Sequence, residues 1–90
     1  MKLFINLLGT DVRLKQETFL DPPSPALKHV LRTLADQHQG RLRRFVKDDL
    51  TPVEGSAILV NGRNMWSLDG LDTEMQDGDE LTFTVLVAGG

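Results

Sequence analysis

His29 and His38 are the only imidazoles in the sequence, and they lie nine residues apart. On a helix that spacing turns two side chains by about 180°, so they do not converge on one metal ion. His38 falls where a helix pattern ends, a boundary position that the helix dipole favours for a charged imidazole. Cysteine is absent, which removes Cys-zinc sites, iron–sulfur clusters, disulfide scaffolds and thiol nucleophiles together. No HExxH, GxGxxG, phosphate-loop or nucleophile-elbow pattern occurs. The acidic segment 69–80 lacks the oxygen-ligand spacing of a calcium loop, and Asp77-Gly78-Asp79 reads as a turn. Arg41, Arg43, Arg44 and Lys47 form a basic cluster with only Phe45 as an interleaved aromatic, which points to solvation or partner contact before base stacking. The remaining chemistry sits at Gly89-Gly90. Two glycines make a thin, side-chain-free tail. Such a tail can enter a channel too narrow for any Cβ and present its α-carboxylate to a reagent inside; the alternative is an ordinary frayed chain end. Residues 87–90 reach at most ~13 Å at ~3.3 Å per residue.

These groups must be positioned by one small domain. The 90 residues (10.0 kDa) are 40% apolar and 26% charged, an ordinary globular balance with room for one core. The net charge of −3 argues against a dedicated nucleic-acid binder. All ten basic residues lie in the first 63 positions, which carry +3, and the last 27 carry −6. That asymmetry is either a solvated acidic loop or a surface that steers a basic partner. The chain shows no long apolar run for a membrane span and no signal-peptide pattern near Leu3–Leu8, so the expected location is cytoplasmic.

The elements follow from periodicity. Leu3, Ile5 and Leu7 alternate with Lys2, Phe4, Asn6 and Leu8, a strand with one buried face. Gly9-Thr10-Asp11 predicts a turn, and Val12–Lys15 a second strand facing solvent. Ser24 and Pro25 suit a helix N-cap and first position. Leu27, Val30, Leu31, Leu34, Ala35 and His38 share one stripe of a helix over 25–39, with Gly40 beyond it. Residues 41–56 read as a long loop with a short element around Leu42–Val46. Ala57–Val60 is a third strand, Asn61-Gly62 a type I′ hairpin pair, and Asn64-Met65-Trp66 the start of a return strand. After the Asp77-Gly78-Asp79 turn, Leu81, Phe83, Val85 and Val87 alternate with Thr82, Thr84 and Leu86. This β-β-α-β-β-β order permits parallel pairing of the first and last strands, and predicts an α+β domain of four to five strands in a mixed sheet, with one helix on one face.

Ile58-Leu59-Val60-Asn61-Gly62-Arg63-Asn64, Gly70-Leu71-Asp72-Thr73, Asp77-Gly78-Asp79-Glu80-Leu81 and Val87-Ala88-Gly89-Gly90, in that order, resemble the ubiquitin-like sulfur carriers of the MoaD/ThiS family. These include the small subunit of molybdopterin synthase and the thiamine-pathway carrier. The match covers residues 57–90, and the earlier element order is compatible. The molybdopterin subunit typically carries Pro-Pro shortly before Val-Ala-Gly-Gly, where this chain reads Thr84-Val85-Leu86. Chain length is nearer the molybdopterin subunit.

The resemblance implies a β-grasp (ubiquitin-like) domain over 1–86 and a flexible Gly-Gly tail over 87–90. It implies a partner enzyme that uses ATP to adenylate Gly90, and a sulfur donor that displaces AMP to leave a thiocarboxylate. A second partner would accept the sulfur, the large subunit of molybdopterin synthase or an equivalent. No permanently bound cofactor or metal is implied, and the chain would act as a carrier subunit without catalytic groups of its own. The alternatives are thiamine biosynthesis, a ubiquitin-like modifier joined to lysines, and a β-grasp interaction module with an incidental tail. Ordering four tail residues costs roughly 4–8 kcal/mol. A docking patch must offset that. Phe4, Leu8, Leu59 and Leu86 on the outward faces, with Val87, Ala88 and Gly89 leading to Gly90, are the expected contact residues. Trp66 either joins that interface or caps the core edge.

Overall fold

The computed structural model describes residues 1–9, 13–37 and 42–85, with the side chain of Arg13 left aside. In chain order the elements are β1 (Lys2–Leu8), β2 (Arg13–Phe19), α1 (Leu27–Gln37), β3 (Ser56–Val60), β4 (Arg63–Asn64) and β5 (Glu80–Val85). Single 3-10 turns lie at Met65–Ser67 and Gly70–Asp72. The sheet order is β2-β1-β5-β3-β4. β1 and β5 run parallel, and the other neighbours run antiparallel. The mixed sheet with one helix is the architecture that strand periodicity predicts.

Alternation along β1 decides which face is wet. Leu3, Ile5 and Leu7 are buried, while Leu8 is exposed. In register with them, Leu81 and Phe83 of β5 and Ile58 and Val60 of β3 bury the same face. Leu27, Val30, Leu31 and Leu34 of α1 join these strand residues in one core. Phe45, from the loop before β3, packs against Phe83 with ring centroids 6.1 Å apart. The expected short element is present as a single helical turn, in which Phe45 and Val46 N–H groups both donate to the Leu42 carbonyl.

Four local expectations change. α1 begins at Leu27, not at 25. The Pro25 carbonyl accepts from the Met75 N–H, and the Leu27 N–H donates to the Thr73 carbonyl, so these residues pair with 73–75 before the helix starts. Ser24 therefore does not cap a helix beginning at Pro25; its Oγ accepts from the Ala26 N–H and is hydrogen-bonded to Nδ1 of His29. The second strand continues to Phe19, well past Lys15, because Thr18 and Leu20 supply further inward positions. The return strand ends at Asn64, whose Oδ1 accepts from the Trp66 N–H and turns the chain into a 3-10 turn that buries Met65. Thr82 faces away from the helix yet is buried, since it lies between β1 and β3 and accepts from Asn6 Nδ2 at 3.1 Å. The expected Gly9–Asp11 turn, Val12, the expected helix end over residues 38–40, and Arg41 lie outside the described residues, wholly or in part.

Candidate functional site

The strand that leads toward residues 86–90 is held from both sides. Thr84 pairs with Leu8 of β1 and Ala57 of β3, and Val85 pairs with Ser56. Ser56 is itself fixed, its Oγ donating to the carbonyls of Val53 at 2.7 Å and Phe45 at 3.0 Å. Two-sided pairing in the middle of a sheet makes β5 a stiff base for whatever follows it. Leu86, Val87, Ala88, Gly89 and Gly90 lie outside the described residues.

The outward face of the sheet carries the predicted contact residues at successive outward positions along β5. Leu8 stands beside Thr84, and Leu59 stands beside Thr82. Ala57, across Thr84 from Leu8, is buried, so short side chains lie between the two leucines. Leu8 is 38% exposed, and Leu59 is half-buried. Phe4 shares the face but pairs with Glu80, at the opposite end of β5. Four residues of strand, about 13 Å, separate it from Leu8. Phe4 is half-buried, with the Lys2 ammonium 5.4 Å from its ring centroid. Phe4 therefore shares the face with Leu8 and Leu59, and in the register Leu59 lies midway along β5 between the two β1 residues, with Leu8 nearest the end of the strand.

Trp66 is 58% exposed, so it does not cap the core edge. Its ring lies over Gly70, where a Cβ would come within 3.3 Å of it. Phe19, 69% exposed on the edge strand β2, is an outward aromatic that sequence reasoning missed. The signal was its parity with Arg13, Lys15 and Glu17, visible only once the strand is extended that far.

The acidic segment is largely structural. Asp77 Oδ1 accepts from the Lys2 N–H at 2.6 Å, and Asp79 accepts from the Gln76 N–H at 2.7 Å and from Asn61 Nδ2 at 3.1 Å. Asp72 pairs with Lys28 at 3.1 Å. The Asp-Gly-Asp turn thus ties β1 to β5 and to the Asn61-Gly62 turn, whose φ values of +52° and +84° match the type I′ geometry that the sequence predicts. In the basic cluster, Arg43 and Lys47 are exposed beside the crevice between α1 and the 42–50 loop, together with Asp36 and Asp48. Among the described residues no group of three or more His, Asp or Glu side chains converges as a metal site, and no helix is long and apolar enough to cross a membrane.

Known proteins share this arrangement. The chain is 39% identical over 61 residues to a candidate sulfur carrier protein of Archaeoglobus fulgidus, covering 67% of this chain and 69% of that one. It is 36% identical over 61 residues to small archaeal modifier protein 3 of Haloferax volcanii, covering 68% and 65%. The crystal structure of SAMP1 from Haloferax volcanii superposes with a TM-score of 0.71 at 21% identity over 100% of both chains, which identifies the fold as β-grasp. The ThiS family profile matches residues 5–90, taking in the sheet, the helix and the final Gly89-Gly90, and on that match the chain belongs to the ThiS family.

Proposed function

We propose that this protein is a sulfur carrier whose Gly90 carboxylate is the reacting group. The family match through residue 90 carries this reading, because it aligns the diglycine as well as the body. A carboxylate is a poor electrophile. A partner enzyme that transfers AMP from ATP onto it, releasing pyrophosphate, converts it to a mixed anhydride. Hydrosulfide then attacks the Gly90 carbonyl carbon, expels AMP and loses its proton, leaving a thiocarboxylate. Splitting the transfer into two steps replaces one high barrier by two lower ones. The chain contributes the acyl group, a stiff strand behind it and a surface to hold.

Leu8 and Leu59 beside β5, with Phe4 farther along the same face, are the proposed hold for the activating enzyme and for the later sulfur acceptor, with Val87, Ala88 and Gly89 following β5 into the partner. Molybdopterin synthesis is the proposed pathway, with a synthase large subunit as acceptor and the cytoplasm as the place where ATP-dependent charging occurs. The similarity to a small archaeal modifier protein supports a second reading, in which the activated Gly90 passes to a lysine amine.

The absence of cysteine provides a clean test. The protein is incubated with activating enzyme, ATP and a sulfur source, then treated with a thiol alkylator and digested. Alkylation of the peptide ending in Gly90 is the expected result. Loss of Gly89 and Gly90 abolishes it while the thermal unfolding curve stays unchanged. Persistent labelling of the truncated chain, or none of the intact one, overturns the proposal. Higher-mass conjugates in extract, without alkylation, favour lysine transfer.

A further inference from the structure

Among the described residues β2 is an edge strand, with β1 as its one neighbour in the sheet. Met1 and Leu20 exchange both hydrogen bonds, the Met1 amine donating to the Leu20 carbonyl at 2.8 Å and the Leu20 N–H to the Met1 carbonyl at 2.8 Å. Antiparallel ladders alternate between hydrogen-bonded and non-hydrogen-bonded pairs. Counting back along the register, Thr18, Gln16 and Leu14 turn their backbone groups toward β1. Arg13, Lys15, Glu17 and Phe19 therefore turn theirs away from the sheet. Lys15, Gln16 and Glu17 are exposed, and Phe19 is the most exposed large apolar residue described.

We propose that two copies of this chain pair through these edges, β2 antiparallel to β2, about a two-fold axis at Gln16. Only odd-numbered residues offer outward N–H and C=O groups, so the axis must pass through a residue and not between two. Gln16 is the middle of the strand, and an axis there pairs its whole length. It sets Lys15 of each copy against Glu17 of the other, twice by symmetry, and sets Phe19 opposite Arg13. Shifting the axis to Lys15 sets lysine against lysine at the centre, and shifting it to Glu17 sets glutamate against glutamate. Charged edge residues usually guard a strand against pairing. Here the Lys-Gln-Glu order is self-complementary at the centre of one register and places like charges on the axis in the two adjacent ones. The helix-free faces of the two sheets then run on as one surface; β5 and Leu59 lie beyond β1 from the new seam, and Leu8 pairs with Arg13 one strand in from it.

Sedimentation equilibrium from micromolar to millimolar concentration tests this with charge swaps. The intact chain forms a reversible dimer. Lys15→Glu and Glu17→Lys each convert both attractive cross-strand pairs into repulsive ones and weaken self-association about tenfold. Mixing the two variants in equal amounts restores dimer as a heteropair, because the edge of one variant then carries two acids at these positions and the edge of the other two bases. Both variants keep the unfolding midpoint of the parent, since the altered side chains are exposed. A parent chain that stays monomeric to millimolar concentration, single variants that associate as tightly as the parent, or a mixture no tighter than its components would each overturn the proposal. The sulfur-carrier assay reads Gly90 and is independent of every one of these outcomes.

Discussion

Asp49 shows how much one exposed carboxylate can be shaped by a neighbour two residues away. The Thr51 hydroxyl donates to its Oδ1 at 2.5 Å and the Thr51 N–H at 3.1 Å, and these bonds hold the Asp49 carboxyl below its ordinary range. The bonds close a tight reversal in which Leu50 adopts a φ of +70° and is buried. A depressed folded pKa stabilises the native state at neutral pH, and the contribution is lost as pH falls through the folded value. Thr51→Val removes the hydroxyl bond and keeps the N–H bond. The expected outcome is an Asp49 titration midpoint, followed by NMR, that moves part of the way back toward ~3.9. The stability advantage of the parent over the variant narrows as the pH drops below that range. None of this was legible in a segment that reads as polar loop. Three apolar residues there, Leu42, Phe45 and Leu50, prove to be core, and the spacing of the first two was the available signal.

At the scale of elements, the Asn61-Gly62 turn was readable as a hairpin because both positions demand φ > 0. Its long-range role was not. The Asn61 Oδ1 accepts from the Glu80 N–H at 2.9 Å, its Nδ2 donates to Asp79, and its own N–H donates to the Glu80 carbonyl at 2.8 Å. One side chain thus fixes where β5 enters the sheet. Asn61→Ala loses the side-chain bonds and strains a left-handed residue, and should lower stability by about 1–2 kcal/mol in urea unfolding. Asn61→Gly loses the same bonds without the strain, so a smaller loss is expected, and the difference isolates the backbone contribution. The start of α1 was misplaced for a related reason. Ser24-Pro25 has the chemistry of a helix entry, yet the Pro25 carbonyl and the Leu27 N–H are taken by Met75 and Thr73, about fifty positions later. Pairing across such a span leaves no periodic trace in the local sequence.

Across the whole molecule, buried periodicity gave the fold and left the docking surface only half defined. Phe4, Leu8 and Leu59 were assignable to one face by parity alone. Their order along β5, with Leu8 nearest its end, Leu59 in the middle and Phe4 at its start under Lys2, required the register. Leu8→Asp tests whether the end nearest residue 85 is the anchor. Leu8 is partly exposed, so the thermal midpoint should move little. Affinity for the activating enzyme, measured by calorimetry, should fall at least about tenfold if Leu8 is an anchor of that contact. Phe4→Ser should weaken it less. The sheet order has one more consequence. β5 is the last strand to be made and lies at the centre of the sheet, with β1 and β3 closing onto it. A nascent polypeptide cannot assemble its hydrophobic interior until residues 80–85 have been translated. On the proposed function, a copy that stops short of them offers no ordered surface to an activating enzyme, so incomplete molecules are screened out before charging.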